Sequence, residues 1–274
     1  MMYDERCKKK AVSSHFPAID FDAVADLYDS YVRVDFDIPF WLQESKVSPG
    51  RVLELGCGTG RVSIPLLKAG IQLDCVDYSS GMLAQFKNKL RETGLACPVH
   101  CQDMADLDLP DRYDLIFIPF HSFSEVVDSQ RQRLTLERIR FHLSEHGVFI
   151  CTLQNPFVRT ASMDGTLRPI GEFSLLDRGT LVVSTCLTFN PETRIASGNQ
   201  VYEQYSADKN LIDRRVLNVR FRLFPKNEFE SLASGCGYTV QELYGDYQRQ
   251  PFDEQTSPYM IWKLRSASVD ELPS

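Results

Sequence analysis

Arg51-Val52-Leu53-Glu54-Leu55-Gly56-Cys57-Gly58-Thr59-Gly60-Arg61 decides the reading of this chain. Residues 51–55 form a short, largely apolar strand, the glycines make a turn, and Arg61 to Ala69 then reads as a helix. A strand, a glycine turn and a helix in that order suit a nucleotide for a physical reason. The glycines let the backbone turn sharply and approach a ligand without Cβ clashes, and the helix start offers free N–H groups. The dinucleotide fingerprint needs Gly-x-Gly-x-x-Gly, and Arg61 stands where its third glycine would be. Glu54 before the turn is unwelcome to a pyrophosphate and suits a positively charged amino group.

Downstream of this turn, strands and helices alternate. Ile71 to Val76 is strand-like, Ser80 to Glu92 helical, Cys97 to Cys101 and Tyr113 to Ile118 are strands. Asp128 to Leu143 is helical, and Gly147 to Leu153 closes the run. Such alternation implies crossovers and a parallel sheet with helices on both faces. After Pro156 the rhythm breaks. Segments 173–176, 180–189, 195–205 and 211–223 are rich in β-branched and aromatic residues, with turn signals at 177–179, 190–192 and 207–210. Pro225 opens a last helix, and strands near 238–244 and 259–264 complete the sheet.

The expected fold class is therefore α/β, a doubly wound, mostly parallel seven-stranded sheet with N-terminal helices and an antiparallel β insertion. Upstream, residues 21–46 have helical periodicity through Val24, Leu27, Tyr28 and Tyr31, and a second set carries Phe36, Phe40, Trp41 and Leu42. The expected units are an N-terminal helical cap over 1–49, a Rossmann-like core over 50–155 and the insertion over 156–224. Residues 225–265 complete the core, and 266–274 form a flexible tail.

The turn and its surroundings resemble the class I, Rossmann-like S-adenosylmethionine-dependent methyltransferases. Glu54-x-Gly56-x-Gly58-x-Gly60 matches the first motif of that family, and Val76-Asp77 ends the next strand, 17 residues after Gly60. The resemblance makes Asp77 the partner of the ribose hydroxyls, with Tyr78 beside it. Ser79-Ser80-Gly81-Met82-Leu83 resembles the next helix start, where the methionine packs near adenine. Cys101-Gln102-Asp103-Met104 resembles the third element, in which Asp103 accepts from the adenine amino group. Ala25-x-x-Tyr28-Asp29 is similar to the entry helix of small-molecule members, whose tyrosine touches the methionyl carboxylate. The resemblance is strong over about residues 51–153.

Each assignment has a plainer counterpart. Asp77 and Asp103 also suit local capping, Met82 suits a helix core, and Tyr28, Tyr31 and Trp41 suit helix packing as well as a pocket wall. The implied cofactor-binding residues are Tyr28, Glu54, Gly56, Gly58, Gly60, Asp77, Tyr78, Met82, Asp103, Met104 and Pro119, and the implied cofactor is S-adenosyl-L-methionine.

Methyl transfer from a sulfonium needs alignment, exclusion of water and, for some acceptors, removal of a proton. In open α/β sheets ligands lie beyond the carboxyl ends of the strands, so Pro119-Phe120-His121-Ser122-Phe123-Ser124-Glu125 stands at the mouth of the site. It resembles the Pro-Phe-Asn-Ser-Phe run of many relatives, with histidine for asparagine. His121 is the candidate base or substrate hydrogen-bonding group, set against a role in bracing the loop or contacting the cofactor. His142 and His146 are explained by the helix dipole. The insertion reads as a lid or a homodimer contact that offers Tyr202, Tyr205, Arg215, Arg220 and Arg222.

Composition narrows the partners. The chain has 274 residues, 43% of them apolar and 24% charged, with a formal net charge of −7. That balance gives no field for a polyanion, so no nucleic-acid partner is expected. No apolar stretch reaches the roughly 20 residues of a membrane span, and no membrane partner is expected. The eight cysteines show no Cys-x-x-Cys spacing, so a reduced cytoplasmic protein without a metal site is the reading. The expected activity is methyl transfer to an N, O or C atom of a small-molecule acceptor. The rivals are an inactive S-adenosylmethionine-binding sensor or assembly protein, and an aminopropyltransferase-like enzyme whose acceptor would call for more acid than Glu125 alone.

Overall fold

The computed structural model describes residues 18–175 and 179–267. His15, Cys7, most of the turn expected at 177–179 and the tail beyond 267 lie outside the described residues.

The N-terminal segment holds a 3-10 turn, Phe21–Val24, then α1 (Ala25–Tyr31) and α2 (Ile38–Val47). The periodicity expected across 21–46 is thus interrupted at 32–37, where the chain leaves α1 and Pro39 restarts a helix in its first turn. The alternating stretch is β1 (Val52–Leu55), α3 (Ser63–Lys68), β2 (Leu73–Asp77), α4 (Ser80–Thr93), β3 (Val99–Cys101), β4 (Tyr113–Ile118), α5 (Ser129–His142) and β5 (Leu143–Gln154). Ser79 caps α4 by accepting from the Met82 N–H at 3.1 Å, and Asp128 caps α5 by accepting from Arg131. After a single turn, α6 (Pro156–Arg159), come β6 (Arg168–Ser174), β7 (Thr180–Asn190), β8 (Ile195–Tyr205) and β9 (Leu211–Arg222). The chain returns through α7 (Lys226–Gly235), β10 (Tyr238–Tyr244) and β11 (Tyr259–Ser266).

The main sheet has the order β10-β11-β5-β4-β1-β2-β3, with β11 antiparallel to both neighbours. Alternation divides its side chains between two cores. Leu53, Leu55, Ile116, Phe149 and Trp262 pack against α5 and α7, while Val52, Cys75, Leu115, Phe117 and Ile150 pack against α2, α3 and α4. The second sheet, β6-β7-β8-β9, is antiparallel throughout. Its inner face (Leu181, Val183, Tyr202, Leu217, Val219) closes a third core with Ile19, Val24 and Leu27 of the N-terminal segment. The insertion and the N-terminal helices therefore form one cover over the carboxyl ends of the central strands.

Two ties fix that cover. Arg215 on β9 forks onto Asp26 at 2.6 and 3.0 Å, and the Tyr31 and Tyr202 hydroxyls are 3.0 Å apart. Asp22 reaches the other way, accepting from the Ser79 and Ser80 hydroxyls and from the Gly81 N–H at the start of α4. Trp41 is a core residue: fully buried, it stacks on Phe117 at 4.6 Å and donates to Asp37. His142 is buried too. Its Nε2 accepts from the Leu109 N–H at 3.0 Å and its Nδ1 meets the Arg138 carbonyl, so specific hydrogen bonds, more than the helix dipole expected from sequence, account for it. Arg222 pairs with Glu228, and Arg220, two positions before it on β9, is exposed and lines the cavity beneath the cover.

Candidate active site

A cavity of about 920 Å³ lies between the carboxyl ends of β1, β2, β4 and β5 and the cover made by α1 and the second sheet. Its floor is the glycine turn, and each glycine there is required for a different reason. All three have positive φ: 73° at Gly56, 54° at Gly58 and 82° at Gly60. A Cβ on Gly56 would stand 2.9 Å from Ser122, so that turn and the loop after β4 are in contact. A Cβ on Gly58 would meet nothing within 4 Å, because that backbone faces the cavity. A Cβ on Gly60 would strike the Phe86 ring at 2.2 Å. Gly60 does not line the cavity; it serves packing between turn and helix, whereas Gly56 and Gly58 do line it.

Asp77 ends β2 beside the turn. Its Oδ2 accepts from the Gly58 N–H at 2.7 Å and its Oδ1 from the Ser79 N–H at 2.8 Å. Burial pushes its pKa up while those bonds pull it down, and the net direction is upward. Each oxygen keeps a lone pair for a further donor, as a pair of ribose hydroxyls would supply. Glu54, one residue before the end of β1 and 1% exposed, accepts from the Ser63 hydroxyl at 2.6 Å. Burial pushes it up to about 8. The nearby Arg61 is already committed, with its guanidinium forked onto Asp37 at 2.6 and 2.8 Å and seated 4.7 Å over the Phe120 ring. A buried carboxyl with one hydroxyl donor and no cation of its own fits an ammonium group. That match, with the open backbone at Gly58, is the fit to the amino-acid end of S-adenosylmethionine.

At the far end of the floor Tyr78, Met82, Met104 and Asp103 form an apolar slot with a polar edge. Met82 and Met104 are buried, and Tyr78 is held by its hydroxyl bond to the Ile19 carbonyl. Asp103 lines the cavity but is also a cap: Oδ1 accepts from the Ala105 N–H at 2.9 Å and Oδ2 pairs with Arg131 at 2.7 Å. Tyr28 faces the cavity from α1, packed edge-on against Tyr31.

Pro119, Phe120 and His121 form the opposite wall after β4. Phe120 and His121 both hold left-handed backbone, φ 54° and 71°, a strained pair that this packing enforces. The His121 ring hydrogen-bonds to the Thr152 backbone and lies 5.3 Å from the Tyr259 ring. Burial lowers its pKa to about 4, so it is neutral near pH 7, and its Nδ1 is enclosed without a partner. Glu125, at the end of a 3-10 turn over Ser122–Glu125, also lines the cavity, and burial pushes it up to about 8. Arg159 also lines the cavity, near His121, and is hydrogen-bonded to Gln154 and Ser162.

The structure thus brings together Tyr28, Glu54, Gly56, Gly58, Asp77, Tyr78, Met82, Asp103, Met104, Pro119 and His121 on one cavity, with Gly60 behind them. Tyr202 and Arg215 hold the cover and do not line the cavity. Sequence reasoning placed Glu125 in the mouth segment but weighed it only as the acid of the aminopropyltransferase rival, and it passed over Arg159 and Tyr259. Glu125 follows His121 by one 3-10 turn, and its position in the mouth segment was the available signal. Arg159 and Tyr259 are brought in only by the docking of β5 and β11.

A family model described as "Methyltransferase domain" matches residues 52–147. A malonyl-[acyl-carrier protein] O-methyltransferase of Bacillus cytotoxicus is 30% identical over 138 residues, 47% of this chain and 46% of that protein. The chain spans about half the length of most of the curated relatives it matches. Among solved structures, the CcbJ methyltransferase from Streptomyces caelestis superposes with a TM-score of 0.77 at 24% identity, covering 92% of this chain and all of that one. The sugar N-methyltransferase KedS8 from Streptoalloteichus superposes at 0.70 and 18% identity, covering 95% and 97%. These last two likenesses are of fold.

Proposed function

We propose that this chain, which belongs to the class I S-adenosylmethionine-dependent methyltransferases, transfers a methyl group to a nitrogen, oxygen or carbon atom of a small molecule. One observation carries the reading: the cofactor floor and the wall after β4 share one cavity of about 920 Å³, near the upper end of small-molecule sites. The donor supplies an activated methyl group on a sulfonium, so the chain's task is to bind, align and keep out water.

Glu54 would accept the ammonium of the methionyl end and Asp77 the ribose hydroxyls, while Tyr78, Met82 and Met104 enclose the adenine. Asp103 adds an acceptor at the adenine edge, and Tyr28 and Pro119 close the methionyl end. His121, neutral and fixed through Thr152, would orient the acceptor. The second sheet acts as the lid, since Leu187, Gln200, Val219 and Phe221 line the cavity from above. Among the described residues no helix is long and apolar enough to cross a membrane.

The test is calorimetric binding of S-adenosylhomocysteine, followed by its release from the methyl donor against a panel of small amines, alcohols and carboxylic acids. Binding together with release on at least one acceptor is expected. Absence of binding to the intact chain would overturn the reading.

A further inference from the structure

Glu125 is a carboxyl group that the cofactor does not need. It lies half-buried on the cavity wall and makes no hydrogen bond or ion pair to any described residue. The groups whose charge it feels are Asp77 at the end of β2, the Tyr28 hydroxyl from α1 and the Tyr78 hydroxyl beyond β2. None is a cation, and Tyr78 already donates to the Ile19 carbonyl. Of the arginines that also line the cavity, Arg61 is forked onto Asp37, Arg131 pairs with Asp103 and Asp106 and Arg159 bonds to Gln154 and Ser162; neither these nor Arg220 pairs with Glu125. Glu54 answers the ammonium of the donor and Asp77 its ribose, which leaves a third acid on the wall of the same cavity without a counter-charge.

We propose that the acceptor is an amine, and that Glu125 binds its ammonium form and takes the proton that must leave before the nitrogen attacks. The inference rests on the methyltransferase reading above. An ammonium nitrogen has no lone pair to offer. Transfer of one N–H proton to a Glu125 oxygen leaves a neutral amine; its lone pair forms the new N–C bond as the C–S bond breaks and its electrons stay on sulfur. The product is a methylammonium group, a protonated Glu125 and a neutral thioether, so charge and protons balance. A carboxyl held near 8 suits this exchange, because the proton acceptor is then close in basicity to an alkyl ammonium of about 10.4. It is a poor base for an alcohol, whose hydroxyl gives up its proton far less readily. The aromatic residues lining the cavity, Tyr31, Phe120, Phe221 and Tyr259 among them, suit an amine carried on a ring or a short apolar frame.

The experiment uses the full chain labelled at the glutamate carboxyl carbons, with S-adenosylhomocysteine bound. The Glu125 signal is identified by its loss in Glu125→Gln. Benzylammonium and cyclohexylammonium are compared with benzyl alcohol and cyclohexanol. The expected result is a Glu125 midpoint well above the ordinary carboxylate range that falls by about one pH unit or more with the amines and stays in place with the alcohols. Glu125→Gln should bind S-adenosylhomocysteine within about threefold of the parent while losing about tenfold or more in amine affinity. Glu125→Asp, which keeps the charge, should retain part of the amine preference and shows that loss in the amide variant is not loss of fold.

Failure of both amines to move the signal, or equal binding of amines and alcohols, overturns the proposal. So does an equal loss of S-adenosylhomocysteine in Glu125→Gln, which would assign the carboxyl to the cofactor. Failure of the parent chain to bind S-adenosylhomocysteine is a different outcome, and removes the methyltransferase reading itself.

Discussion

The ring of Phe86 lies against Gly60 so closely that a Cβ on the glycine would stand 2.2 Å from Cδ2 and 2.4 Å from Cε2. Gly60 also holds φ at 82°. Gly60→Ala should therefore cost about 1–3 kcal/mol for overpacking plus about 1–2 kcal/mol for the left-handed backbone. Gly58→Ala meets open space and should lose only the second of these. Its methyl group points into the cavity, however, and should weaken S-adenosylhomocysteine binding by about tenfold or more. Urea unfolding and calorimetric titration of both variants check the separation. Equal stability losses, or unchanged cofactor affinity in Gly58→Ala, would contradict it.

Arg61 offers a second separable effect. Its guanidinium is mostly buried and its counter-charge is Asp37, which is fully buried and also accepts from Trp41. Asp37→Asn leaves that guanidinium without an anion and should cost about 3–5 kcal/mol. Replacing both residues, as Asp37→Asn with Arg61→Gln, should recover part of the loss, because no unpaired charge then remains. A double variant as unstable as the sum of the two singles would show that the pair is not the source. Chemical denaturation of the three variants decides it.

These two residues also mark how far the sequence could be read. The glycine spacing, Arg61 in place of a fingerprint glycine, and Asp77 at the end of the next strand are local in the chain, and the local order of strand, turn and helix places them. The antiparallel insertion was legible for the same reason, since Asn190 and the 207–210 segment turn the chain where the pattern requires. What could not be read is what distant packing decides. Gly60 has the motif's spacing but faces Phe86, Trp41 is drawn into the core by Phe117, and Arg215 finds Asp26 at a separation of 189 residues. Glu125 gave a weak signal because an acid in a polar loop is ordinary; only its place on the cavity wall without a partner singles it out.

The Arg215–Asp26 fork joins the second sheet to α1 at the surface, with both side chains partly exposed. Such a pair contributes little to global stability, about 0–1 kcal/mol. Arg215→Ala should accordingly shift the midpoint of unfolding slightly. It should raise the dissociation rate of S-adenosylhomocysteine by about threefold or more, because the cover is less firmly held over the cavity. Stopped-flow displacement measures the rate. An unchanged rate would show that Tyr31, Tyr202 and the buried cluster around them hold the cover alone.

Stability against pH follows from three titratable groups at the site. Glu54 and Glu125 are held near 8 in the folded chain against an ordinary 4.5, so the folded state binds their protons more tightly. Their contribution is fully present below 4.5 and is lost as pH rises through 8. His121 acts in the opposite sense. Its folded pKa of about 4 lies below the ordinary 6.5, so its contribution is present above 6.5 and is lost as pH falls toward 4. From 4.5 to 6.5 the histidine offsets part of the carboxylate effect, and from 6.5 to 8 nothing among these groups opposes it. Of these groups' combined contribution, the maximum should therefore lie near pH 4, and the ligand-free chain should lose up to about 1.4 kcal/mol per pH unit for each carboxyl between 6.5 and 8. Water entering the cavity will reduce that slope. Glu54→Gln and Glu125→Gln should each remove about half of it. S-adenosylhomocysteine, by setting its ammonium against Glu54, should flatten the Glu54 share in the parent chain and leave the slope of Glu54→Gln nearly unchanged. Calorimetric melting from pH 5 to 8 checks each arm, and a ligand-free midpoint that rises between 6.5 and 8 would refute the assignment.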